Sequence, residues 1–108
     1  SVINMRYAAS LILISMFVSQ TVMAKSQNEE TCKTLEKLAE AVMTARQEGA
    51  PMSEIYMKDY GSVDRNKVMK SLVKEAYKTP RFNSQQSKKN AVEDFKNEKF
   101  SYCIENLK

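Results

Sequence analysis

Few of the side chains can do chemistry. Histidine is absent from all 108 residues. That removes imidazole general acid/base catalysis, a Ser-His-Asp triad and imidazole metal ligation. Two cysteines are too few for a four-thiolate zinc site or an iron–sulfur cluster, and two glycines leave no Gly-rich phosphate loop. The 13 carboxylates are the last route to catalysis. The adjacent pairs Glu29-Glu30 and Glu93-Asp94 diverge by about 100° on a helix. Acid/base work by two carboxylates needs them to converge in a cleft. The expectation is a protein that is not an enzyme and takes no cofactor and no metal.

What is left is suited to binding. In the segment that begins at Met52, Ile55, Tyr56, Met57 and Tyr60 crowd about one and a half helical turns, more apolar surface than one helix face buries. Met is a packing residue, and it also serves surfaces that accept variable partners. This segment is therefore read either as core filling or as a soft groove for a partner, and it is the candidate partner-binding segment. Arg81 and Phe82 follow Pro80. One reading puts Phe82 on the core and Arg81 on a helix C-terminus or a carboxylate. The other makes the pair an interface anchor, since Arg and aromatic residues are favoured there. Lys67, Lys70, Lys74 and Lys78 make a basic stripe at spacings of three and four. It reads as a solvated face, or as a surface for an anionic headgroup layer or an acidic partner. No aromatic residue interleaves with it, so nucleic acid is not expected.

The N-terminus reads as an address. Before Lys25 the only charge is Arg6, followed by an apolar run over residues 8–18 and then Val22-Met23-Ala24. A basic start, a short apolar core and small residues at a cleavage point make a secretory signal. Met5 is read as the true start, residues 1–24 as the signal, and cleavage is expected after Ala24 into the periplasm. The alternative is a retained anchor, but the apolar core is short of the roughly 20 residues that span a bilayer. The expected mature chain is residues 25–108, one domain. Losing Arg6 lowers the whole chain's charge of +4 to +3. That balance is mixed and mildly basic.

In an oxidising compartment, two cysteines in a short chain read as one disulfide, Cys32–Cys103. It closes a loop of 72 residues (32 to 103 inclusive). By the chain-entropy model such a loop is worth about 4 kcal/mol.

The elements that must position these residues are helical. The periodicity predicts a helix over Glu29–Glu48, with Cys32, Leu35, Leu38, Ala39, Val42 and Met43 on one face, stopped by Gly49 and Pro51. A short helix is predicted over Ser53–Tyr60 with Ser53 as N-cap. A third runs over Asp64–Lys78, with apolar positions Val68, Met69, Leu72, Val73, Ala76 and Tyr77, capped by Ser62 or Asp64 and ended before Pro80. A fourth covers Ser87–Asn106, with Ala91, Val92, Phe95, Lys99, Tyr102 and Cys103 on one stripe. No alternating β-branched run appears. The fold class is all-α: a small bundle of three longer helices and one short helix, with one disulfide between antiparallel first and fourth helices.

Three stretches carry a resemblance: Ala45-Arg46-Gln47-x-Gly49-x-x-Met52-Ser53, Ala76-Tyr77-x-x-Pro80-Arg81-Phe82, and Asp94-Phe95-x-Asn97 with Cys103. Together they are similar to an uncharacterised group of short secreted helical proteins from Gram-negative bacteria and their phages. That likeness implies a signal peptide and a helical mature part with a Cys near each end, and it carries no activity. In architecture the chain is also similar to acid-stress periplasmic chaperones of the HdeA type, whose Cys pair lies closer in sequence. Three functions follow as expectations. The first is a non-catalytic periplasmic binding protein, an inhibitor, immunity or exclusion factor for an envelope or phage-derived protein. The second is a chaperone exposing apolar surface in acid. The third is a lysis regulator on a releasable anchor.

Overall fold

Apolar side chains three and four apart must be buried together, and in the computed structural model they are. The structure describes residues 28–107; the expected signal segment, residues 1–24 with Met5, Val22 and Ala24, lies outside them. The chain divides after Thr31 into two units. Of the first, only residues 28–31 are described, and they are helical.

The second unit holds four helices and, among the described residues, no strand. They are α1 (residues 28–48, of which 32–48 belong to this unit), α2 (Met52–Met57), α3 (Val63–Ala76) and α4 (Gln85–Glu105). The expected all-α bundle of three longer helices and one short one is what forms. Its core is Ala39, Val42 and Met43 of α1, Met69, Leu72, Val73 and Ala76 of α3, and Phe95 of α4. Leu35, Leu38, Ala91 and Val92 pack around it. Each of the large core side chains contributes about 1.5–3 kcal/mol through burial.

Three ties set the direction of α4 against α1. Cys32 is disulfide-bonded to Cys103, with Cα atoms 5.5 Å apart. Lys96 Nζ reaches Glu40 Oε2 at 3.4 Å, and Lys88 Nζ donates to the Gln47 carbonyl at 2.7 Å. Going up α1 means going down α4, two turns at a time, so the helices are antiparallel. Lys99 adds an ion pair to Glu75 of α3. Cys32 is completely buried.

The termini differ from the expected ones for local reasons. α4 begins two residues early, because Ser84 Oγ caps it by accepting from the Ser87 amide. Ser62 does the same for α3 through the Arg65 amide. α2 is the largest correction. It begins at Met52, has Pro51 at its N-cap with no side-chain cap bond, and ends at Met57 instead of Tyr60. Side chains take over the hydrogen bonds that a longer helix would make. Asn66 Oδ1 accepts from the Tyr60 amide, and Asp59 Oδ1 accepts from the Gly61 amide. Val68 and Tyr102, expected on apolar stripes, are exposed.

Candidate functional site

Two neighbourhoods receive the residues singled out by sequence. The first is a polar knot where the chain after α3 crosses the C-terminal end of α1. Gln47 is buried there, with only 2% of its surface exposed. Its Oε1 accepts from the Phe82 amide at 2.9 Å, and its Nε2 donates to the Pro80 carbonyl at 2.9 Å. Nε2 also lies 3.7 Å from Met43 Sδ. Its own carbonyl accepts from Arg81 Nε and Lys88 Nζ. Arg81 further donates to the Glu48 carbonyl. Arg46 Nε donates to the Thr79 carbonyl, and the Arg46 guanidinium stands 5.0 Å over the Tyr77 ring. Tyr77 O–H donates to the Ala50 carbonyl at 2.6 Å. Burial pushes the Tyr77 phenol above its ordinary pKa, partly offset by Arg46.

The last carbonyls of a helix lack intrahelical partners and carry its negative dipole end. Arg81 and Lys88 satisfy both needs at once. Gly49, at φ 89°, turns the chain out of α1. A Cβ there would stand 2.8 Å from Arg81 Cζ. The Ala45–Gly49 and Ala76–Phe82 stretches, far apart in sequence, are therefore one structural unit. Arg81 and Phe82, expected among the partner-binding residues, are used inside the fold: Arg81 on the end of α1, Phe82 through its amide on Gln47.

The second neighbourhood is α2. Ile55 and Tyr60 turn inward and pack on the core. Tyr60 O–H donates to the Ile55 carbonyl at 2.7 Å, and burial raises its phenol pKa. Tyr56 is half-buried, with the ammonium groups of Lys70 and Lys74 5.4 and 5.8 Å from its ring centroid. Met52 is 42% exposed and Met57 79%. Met52, Ser53, Tyr56, Met57 and Lys74 line an open groove of about 420 Å³. The five expected residues of this segment thus divide: Met52 and Met57 are exposed, Ile55 and Tyr60 hold the segment to the core, and Tyr56 does both, lining the groove and packing on the core.

Comparison with protein-family models, curated proteins and solved structures finds no match for this chain.

A second cleft, about 380 Å³, runs between α4 and the residue 79–82 segment. Met43, Phe82 and Phe95 line it, with Asn90, Asp94 and Glu98 also on its wall. Those three polar residues recur every fourth position of α4. Among the described residues no cluster of side chains is arranged to hold a metal ion, and no helix is long and apolar enough to cross a membrane.

Sequence reasoning missed Gln47 as a core residue. A signal was present: it lies four residues beyond Met43 and eight beyond Ala39, on the buried stripe of α1. Lys88 as a helix-end cation had no comparable signal.

Proposed function

We propose that this chain is an exported, non-catalytic binding protein of the periplasm that acts by docking another protein through the α2 face. The exposure of Met52 and Met57 beside the half-buried Tyr56 carries the reading. A helix of six residues with no buried member leaves thioether surface in water that a core-filling role would have hidden. Export is supported by the signal-like residues 1–24 and by the Cys32–Cys103 disulfide, which persists in oxidising compartments. An inhibitor, immunity or exclusion factor for an envelope or phage-derived protein is the role that suits a small stapled scaffold with one adaptable face.

The acid-chaperone reading draws on the carboxylates that tie α4 down, Glu40 and Glu93 to Lys96 and Glu75 to Lys99. Partly exposed pairs like these are worth about 0–1 kcal/mol each. Loss of such pairs is too small an effect to open a bundle stapled by a disulfide worth about 4 kcal/mol. Docking is therefore preferred.

Two measurements test the proposal. Mass spectrometry of the exported chain should find it beginning at Lys25; a chain retaining residues 5–24 contradicts cleavage. A partner recovered with the immobilised chain should bind saturably, and the Met52→Ser/Met57→Ser variant should lose it while keeping the same circular dichroism. Undiminished binding by that variant removes the α2 face from the account.

A further inference from the structure

Lysines on two helices of this molecule are in different electrostatic situations. On α4, Lys96 has Glu40 and Glu93 within 4 Å, and Lys99 has Glu75 and Glu98. On α3, Lys70 and Lys74 lie over the Tyr56 ring, and among the described residues neither has a carboxylate within 4 Å. Lys67 and Lys78 extend that row in sequence, and Lys58 lies 5.8 Å from the Tyr60 ring. The only carboxylate of α2 is Glu54, and Asp59 in the following turn is engaged by Gly61 and Asn66. The α2 groove thus has an apolar lining and an uncompensated positive lip.

We propose that the groove's occupant is an acidic amphipathic helix of a protein partner, with apolar side chains entering between Met52 and Met57 and carboxylates pairing with Lys70 and Lys74. The inference rests on the docking role assigned to α2 and specifies the chemistry of its partner. Helix-in-groove recognition supplies apolar anchors on one helix face, and flanking charge fixes orientation and speeds encounter. Thioethers adapt to the shape of the inserted side chains. The same lysines would draw an anionic bilayer. A groove of about 420 Å³ accepts inserted side chains, however, whereas interfacial binding needs a broad protruding apolar face.

The test uses the full chain with its methionine methyl groups isotopically labelled, read by NMR. It is titrated with three helix-forming peptides that share one leucine face and carry Glu, Gln or Lys beside it, and with phosphatidylglycerol vesicles. The Glu peptide should bind about tenfold more tightly than the Gln peptide, with the Lys peptide weakest, and its affinity should fall about tenfold from low to high salt. The Met52 and Met57 methyl signals should shift, while those of buried Met43 and Met69 stay. Lys70→Gln/Lys74→Gln should level the three peptides, and Lys70→Glu/Lys74→Glu should reverse their order, both with unchanged circular dichroism. Equal affinity for the three peptides, or preference for the Lys peptide, overturns the acidic partner and leaves the docking face standing. Binding to vesicles with no peptide preference overturns it in favour of a membrane. If no peptide moves Met52 or Met57, and no recovered protein partner does either, both this inference and the docking role fall.

Discussion

The knot at the end of α1 and the short helix that follows it are a few residues apart, yet they are built on opposite terms. In the knot, Gln47, Arg81, Lys88, Arg46 and Tyr77 each hydrogen-bond to main chain more than 25 residues away in sequence. No buried side-chain polar atom among the described residues lacks a partner. α2 has six residues, no side-chain cap and no buried member. Helices shorter than about 12–15 residues are marginal in water on their own. α2 stands only because Ile55, Tyr56 and Tyr60 lean on the core. The difference separates two duties. Satisfied buried polar groups fix one arrangement of the chain, while a lightly held helix with exposed thioethers can change its side chains at little cost to the fold.

The largest expected effect removes what both regions depend on. Cys32→Ser/Cys103→Ser should lower unfolding free energy by about 4 kcal/mol in a denaturant melt. A loss below about 1 kcal/mol would mean the packed helices hold without their staple.

Next, Gln47→Ala should cost about 2–3 kcal/mol, because the Phe82 amide and Pro80 carbonyl lose a buried partner. Met57→Ser should change stability by no more than about 0.5 kcal/mol. Equal costs at the two positions would erase the contrast between knot and α2.

Gly49→Ala should cost about 1–3 kcal/mol through its positive φ. Part of that cost comes from the crowded Arg81 side chain, so repeating the change in an Arg81→Ala background should make it smaller. An unchanged cost would place all of the strain in the backbone.

A smaller effect concerns α2 alone. Tyr60→Phe removes the O–H that donates to the Ile55 carbonyl, worth about 1 kcal/mol. Amides of α2 should exchange with deuterium faster in this variant, while those of residues 39–47 do not change. Coupled acceleration in both would show that α2 is no separate opening unit.

The smallest is the pH profile of the denaturation midpoint. The Gly61 amide, then Asn66, holds Asp59 below its ordinary value of 3.8. Such a group stabilises the fold above 3.8, and the contribution fades as pH falls through its lower folded pKa. Tyr77 is raised by burial above 10.0, and Lys96 is raised above 10.5 chiefly by Glu93. Their contributions are complete below those ordinary values and fade as pH rises through the raised ones. The midpoint should be level near neutrality and decline on both sides. A decline near pH 6 has no group to cause it, since the chain lacks histidine.

Helix-level features were legible because they rest on local periodicity. The positions of Ala39, Val42, Met43, Leu72, Val73 and Phe95 can be read from spacings of three and four, and the Cys pairing from there being only two. The end of α2 was not legible. It depends on Asn66 reaching back from α3 to the Tyr60 amide, a contact that periodicity does not encode. The knot was half legible. Pro80 marks where α3 must stop, but which carbonyls Arg81 would meet depends on how α1 and the chain after α3 pack. Of the α2 set, composition showed an excess of apolar surface, and only the fold separates Met52 and Met57 outside from Ile55 and Tyr60 inside.

The most direct test measures binding and stability together in Met52→Ser/Met57→Ser. Unfolding free energy should stay within about 1 kcal/mol of the parent, while binding of the recovered partner falls by at least about a hundredfold, as loss of a central apolar anchor pair does. Binding at parental strength, or collapse of the fold, would contradict the division of labour between the knot and the α2 face.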